Sequence, residues 1–377
     1  MTIFKPLAAD DRVSTKTLLH EAIPITGTIV SGTYGVKNVQ NFTHGMFQSV
    51  YDYPYLSSSA NHIFDITFGM HTGSLLYGTT TVQKAKKNNI YNQMAQVLMG
   101  YDKDGNIQKF DEDGNITDGG VKINDAIFLS FSRLTTKDEV KKGSFQLELG
   151  VSGAYELPFG ERILISDVNG ATSYRVNSPA GEFGILYATA SHNSTGSGPN
   201  YTLLNEASVR KKTINGFNYW YAGLIYYQAG VIVLTSSVLA QANVGGIIRT
   251  HVDELAFSTA ATGAEITGSF LSREISSSAD DFRNRIYNIQ FNNTIELNST
   301  VYFCRAKHNE FNYSSNPTYL SGSQIRVKNQ STDVPVAYIT SIGLYSADNQ
   351  LLAVGKFSEP IRKDSNIELT FRSRLDY

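Results

Sequence analysis

Ile367-Glu368-Leu369-Thr370-Phe371-Arg372-Ser373-Arg374-Leu375-Asp376-Tyr377 decides the fold class. Ile367, Leu369, Phe371 and Leu375 alternate with Glu368, Thr370, Arg372 and Arg374. That is the period of a strand with one face turned inward. Chain ends are ordinarily loose and polar. A strand here predicts an end fastened into a sheet, which suits a scaffold or assembly protein better than one with a mobile lid.

The same alternation recurs upstream. Phe64, Ile66, Phe68 and Met70 carry it, as do Ile127, Leu129 and Phe131, and Phe145, Leu147 and Leu149. Val231 to Leu234 is a continuous apolar run, fit for a strand buried on both faces. Val301–Phe303, Ile325–Val327, Val336–Leu344 and Leu351–Phe357 complete the series, with Ala347-Asp-Asn-Gln as a hairpin loop. Helical spacing is rare. Ile90 to Met99 places Ile90, Met94, Val97 and Leu98 near one stripe, with Asn88 and Asn89 as caps. Val244 to Phe257 places Ile247, Ile248, Val252 and Leu255 on another. Many strands and few helices predict an all-β chain, as a β-sandwich with short helical inserts near 88–100 and 244–257.

Residues 1–60 read differently. Ile23 to Val30 supports one short strand at most, and the segment ends in Tyr51-Asp-Tyr-Pro-Tyr-Leu-Ser-Ser-Ser. It is expected to be an extended N-terminal arm ordered against another surface. The β domain then occupies 61–377, with a sub-boundary near 290. Residues 189–201, rich in Ser, Gly and Asn, read as a long polar loop.

Composition narrows the function. The 377 residues carry a net charge of −2, with 18% charged residues against the ~25% usual in soluble domains. There are 22 Tyr and 20 Phe against one Trp. A Tyr-rich, charge-poor surface suits coverage by neighbouring subunits. Lys84–Lys87, Lys141–Lys142 and Arg210–Lys212 lack interleaved aromatics and read as solvated turns or interface contacts, so no nucleic-acid partner is expected. Cys304 sits in an apolar run and reads as a small core residue. As the sole cysteine it allows no internal disulfide, which fits assembly in a reducing cytoplasm. No leader pattern or run of ~20 apolar residues appears, so no membrane partner is expected.

Sites for chemistry are sparse. Asp102-Lys-Asp-Gly-Asn-Ile and Asp111-Glu-Asp-Gly-Asn-Ile resemble calcium loops. Ile107 and Asp113 stand where that motif needs Gly and Glu, so two Asp-Gly turns are the stronger reading. The seven histidines lack metal-ligand spacing. Neither a nucleophile elbow nor a phosphate-binding loop is present. Glu148, Glu156, Glu182 and Glu310 are the carboxylates available to a glycoside hydrolase. No enzyme and no cofactor are expected. The candidate interface comprises Tyr51, Tyr53, Tyr55, Phe311, Tyr313, Tyr319 and Tyr377. The cluster from His308 to Tyr319 has two readings, a sugar-stacking platform and a subunit contact, and the contact is favoured.

Several long stretches resemble virion structural proteins of tailed bacteriophages, notably contractile-tailed phages of marine cyanobacteria. They are Asn298 to Tyr319, Pro335 to Ser346, the ending Arg372-Ser-Arg-Leu-Asp-Tyr, His44 to His62 and Asn92-Gln-Met-Ala-Gln-Val-Leu. A second likeness, in Ile342-Gly-Leu-Tyr, Asp348-Asn and Leu352-Ala-Val-Gly, is to the baseplate-attaching part of tail-collar fibres. The resemblance implies a structural protein of the tail or baseplate, assembled in the host cytoplasm, whose partners are other virion proteins and copies of itself. The alternative is a receptor- or glycan-binding tail protein. No catalytic residues come with the resemblance.

Overall fold

The computed structural model describes residues 4–24, 37–74, 76–115, 120–150, 158–160, 162–193, 196–198, 211–236, 273–314, 320–322, 324–325, 332 and 334–377. The first half runs β1 (Arg12–Pro24), β2 (Val39–Asn41), β3 (Gln48–Tyr51), β4 (His62–Met70), α1 (Val82–Leu98), β5 (Asp125–Phe131), α2 (Arg133–Thr136), β6 (Glu139–Val140) and β7 (Gln146–Gly150). Then come β8 (Arg162–Ser166), β9 (Tyr174–Ser178), β10 (Gly181–Asn193), β11 (Gly196–Gly198), β12 (Lys211–Ile214), β13 (Phe217–Tyr226) and β14 (Val231–Thr235). The last part holds α3 (Ile275–Asn284), β15 (Ile286–Ala306), β16 (Leu320–Ser321), β17 (Gln324–Ile325), β18 (Val336–Tyr345), β19 (Leu351–Asp364) and β20 (Leu369–Asp376).

The fold is all-β, as the alternation predicts. Among the described residues sixteen strands form one open sheet in the order β1-β15-β7-β8-β10-β13-β14-β5-β4-β3-β2, with β6, β9, β11, β12 and β20 attached beside this path. β18 and β19 make a separate antiparallel hairpin. The chain divides into two compact units, Met1–Leu19 with Glu296–Tyr377, and His20–Ile295. The divisions fall inside β1 and β15. The segment read as an arm carries β1, β2 and β3.

In the larger unit the ladders from β15 to β2 are antiparallel. All five residues of β14 are buried, as the continuous apolar run predicts. Phe131 on β5 lies 5.0 Å from Phe291 on β15, ring centre to ring centre. Six sheet steps separate those strands, which would span about 29 Å if flat. The sheet therefore curls until its members face each other. Gly223 supplies part of the bend. Its φ of +148° and the register shift opposite Leu186 and Tyr187 mark a bulge in β13. A Cβ there would meet the Val233 carbonyl oxygen at 1.9 Å.

α1 lies on β4. Thr81 caps it by accepting the Lys84 N–H at 3.3 Å. The helix starts eight residues before Ile90, and Asn88 is within it, donating its amide to the Met70 carbonyl at 3.1 Å. Val97, expected on the buried stripe, is exposed. The buried stripe is Lys84, Lys87, Ile90, Tyr91, Ala95 and Leu98, so Ile90 and Leu98 lie on it as expected. Two lysines disguised its beginning, because their stems pack like aliphatic chains. Lys84 Nζ donates to the carbonyls of Leu76 and Tyr77, and Lys87 Nζ to that of Arg273. These lysines are thus buried, not solvated. The second helix, expected over 244–257, lies outside the described residues. The polar segment at 189–201 is strand in its described part, continuing β10 to Asn193 and pairing it with β11.

Candidate functional site

In the smaller unit the ending is a strand, with Thr300 opposite Leu375, Cys304 opposite Phe371 and Ala306 opposite Leu369. Leu375, Phe371 and Leu369 therefore share a face with Tyr302 and Cys304. That face is only half-buried. Opposite it Phe357 of β19 meets Phe371 at 4.8 Å. Among the described residues of this unit, the buried apolar side chains are Ala306 and Ala337. The β18–β19 hairpin exposes Tyr338, Tyr345, Leu351, Leu352 (68%) and Val354 (59%). A two-stranded ribbon is marginal in water unless another layer covers it.

Polar contacts supply much of this unit's order. Lys363 is fully buried, and its ammonium donates to Asn312 Oδ1 at 2.7 Å, the Asp364 carbonyl at 2.8 Å and the His308 carbonyl at 3.3 Å. It thereby anchors the aromatic loop holding Phe311, whose φ is +55°, and the exposed Tyr313. Nothing local in the sequence marks Lys363 for this role. Two of its three acceptors lie 55 and 51 residues away in the chain. The Ala8 N–H, donating to Asp11 Oδ2 at 3.1 Å, and then Arg305 Nε, donating to Asp11 Oδ1 at 2.6 Å, hold that carboxyl below its ordinary range. Cys304 is half-buried, and burial pushes its thiol pKa up, which disfavours a nucleophilic thiolate.

The predicted interface residues fall into two groups. Tyr51, Tyr53 and Tyr55 belong to the larger unit. Tyr51 and Tyr55 have ring centres 6.3 Å apart, and the Tyr51 hydroxyl donates to Gln40 Oε1 at 2.9 Å. Tyr53 and Tyr55 are exposed. Phe311, Tyr313 and Tyr377 belong to the smaller unit. Tyr377 exchanges backbone hydrogen bonds with Asn298 at 2.8 and 3.0 Å while its side chain remains exposed. Tyr319 lies outside the described residues.

Each described hydrolase candidate is held by a cation. Glu148 pairs with Arg162 at 2.9 Å, Glu182 with Lys142 at 2.6 Å and Glu310 with Lys5 at 2.5 Å. Glu156 lies outside the described residues. The Asp-Gly segments are turns. Asp102 Oδ1 accepts the N–H groups of Asp104 and Asn106, and Gly105 takes a φ of +83°. Asp111 is buried and paired with Lys122 at 2.8 Å. Among the described residues no group of three His, Cys, Asp or Glu is placed to hold a metal.

The buried Asp167 and the half-buried Asp125, both in the larger unit, carry no mark in the sequence. Asp167 accepts the N–H of Gly143 at 2.6 Å, that of Phe145 at 2.9 Å and the Tyr227 hydroxyl at 3.2 Å. Burial pushes its pKa up to about 6 despite these donors. Asp125 accepts the Ser74 hydroxyl at 2.9 Å, and burial raises its pKa to about 6 as well. Asp167 clamps the turn between β6 and β7, fixing Lys141 to Ser144 against β15.

No protein-family model, curated protein or solved structure matches this chain.

Proposed function

We propose that this chain is a structural protein of a tailed-phage virion, assembling by protein–protein contacts at the tail or baseplate. The sequence resemblance supplies the phage context. The observation that carries the mechanism is the uncovered smaller unit, with its half-buried apolar face and exposed hairpin. Tyr338, Tyr345, Leu351, Leu352 and Val354 offer apolar area on the order of 500 Å2, against about 800 Å2 per partner in a standard interface. Covering that face supplies the apolar burial that the unit lacks alone. The curled sheet of the larger unit then serves as a sandwich-like frame, a reading supported by the approach of Phe131 to Phe291.

Immunogold labelling of purified particles with antibody to the folded chain tests this. Label at the tail or baseplate is expected. A particle proteome that lacks the chain would overturn the assignment. The second reading is a tail adhesin on the same frame, and an amide-lined cavity in the larger unit favours it.

A further inference from the structure

That cavity measures about 430 Å3 and is lined by Ala22, Ile23, Lys141, Gln146, Gln290 and Asn292, with the β6–β7 turn as its rim. The size lies within the range of small-molecule sites. The rim is built from both sides. Lys141 N–H donates to the Asn292 carbonyl at 2.7 Å. Asn292 N–H donates to Ser144 Oγ at 3.0 Å, whose own hydroxyl donates to the Lys141 carbonyl at 2.6 Å. Asp167 grips the far side of the turn through Gly143 and Phe145. A site held this way loses little freedom when a ligand arrives.

Its chemistry is specific. Gln290 Nε2 donates to Gln146 Oε1, leaving the Gln146 amino group and the Gln290 carbonyl oxygen for a ligand. The Asn292 side-chain amide adds a donor and an acceptor. Lys142 also lines the cavity, but Glu182 and Glu139 engage its ammonium at 2.6 and 3.4 Å. Lys141 is the remaining cation, with no carboxylate partner among the described residues. Among the described residues no carboxylate lines the cavity. Paired amide donors and acceptors suit vicinal hydroxyls, the ammonium suits one negative charge, and Ala22 with Ile23 offers an apolar wall to C–H groups.

We infer that this cavity binds an acidic saccharide, its carboxylate on Lys141 and its hydroxyls on Gln146, Gln290 and Asn292. The inference stands on the cavity's chemistry and is independent of any place in a particle. Saturation-transfer NMR on the full chain with cellobiouronic acid, cellobiose and acetate tests it. Cellobiouronic acid is expected to bind with a Kd on the order of 1 mM. Cellobiose and acetate are each expected to bind about tenfold more weakly, since each lacks one half of the recognition. Lys141→Met should weaken the acidic sugar about tenfold and leave cellobiose unchanged, and Lys141→Arg should restore most of the loss. Gln146→Leu with Gln290→Leu should weaken both sugars while the melting temperature stays near wild type. The inference fails if the acidic sugar shows no saturation transfer, if Lys141→Met leaves its affinity unchanged, or if acetate competes equally well. Should the double variant unfold, the Lys141 pair alone decides the matter.

Discussion

Asp125 receives one hydroxyl, from Ser74, and its other oxygen Oδ1 is buried without a hydrogen-bond partner among the described residues. Burial favours its neutral form, so the folded state holds the proton more tightly than an unfolded carboxylate does. The contribution of this group to stability is fully present below about pH 4 and is lost as pH rises through 6. Asp125→Asn should therefore stabilise the protein by about 1–3 kcal/mol at pH 7 and by nearly nothing at pH 4. Urea midpoints at the two pH values check this, and an equal shift at both would refute it. Asp125 looks in sequence like any polar residue opening a strand. Its cost arises from the neighbours that desolvate it. Lys363 makes the same point: two of its three acceptors, the His308 carbonyl and Asn312 Oδ1, belong to a loop 55 and 51 residues upstream.

At the scale of elements, α1 reaches β4 because residue 69 has no side chain. A Cβ on Gly69 would lie 2.6 Å from the Phe128 ring and 3.1 Å from the Tyr91 Cα. Gly69→Ala should cost about 1–3 kcal/mol in chemical denaturation, since helix and strand must part. A change below a few tenths would mean the helix adjusts freely. The strands whose faces differ in polarity were legible, since Phe64, Ile66, Phe68 and Met70 are all buried on β4. β1 was not. Its Arg12 to Ile23 sequence lacks a sustained alternation, and its residues are almost all exposed. Such a strand is specified by the edge of β15 that it joins. The start of α1 was hidden for a different reason, since buried lysines break a pattern drawn from apolar residues alone.

For the molecule as a whole, core quality differs between the units. Every member of the apolar core cluster belongs to His20–Ile295. Hydrogen exchange of the purified chain should show β13 and β14 far better protected than β20 and the Val301–Ala306 part of β15, because local opening follows buried apolar contact. Equal protection would show that the smaller unit needs no cover. Leu352→Glu with Val354→Glu should leave the far-ultraviolet spectrum intact yet abolish incorporation into particles in a complementation assay, as charges on a covered face must be desolvated. Normal incorporation would remove the hairpin from the interface. The sequence by itself determined the all-β class, the buried character of β4, β5, β7 and β14, and the β18–β19 hairpin. These follow from short-range periodicity and turn chemistry, which need only near neighbours. The sheet order, the curl that brings Phe131 to Phe291, the clamp on the β6–β7 turn and the uncovered smaller unit were decided by tertiary structure. Each depends on contacts between residues remote in the chain, and no local pattern encodes which distant face will desolvate which side chain.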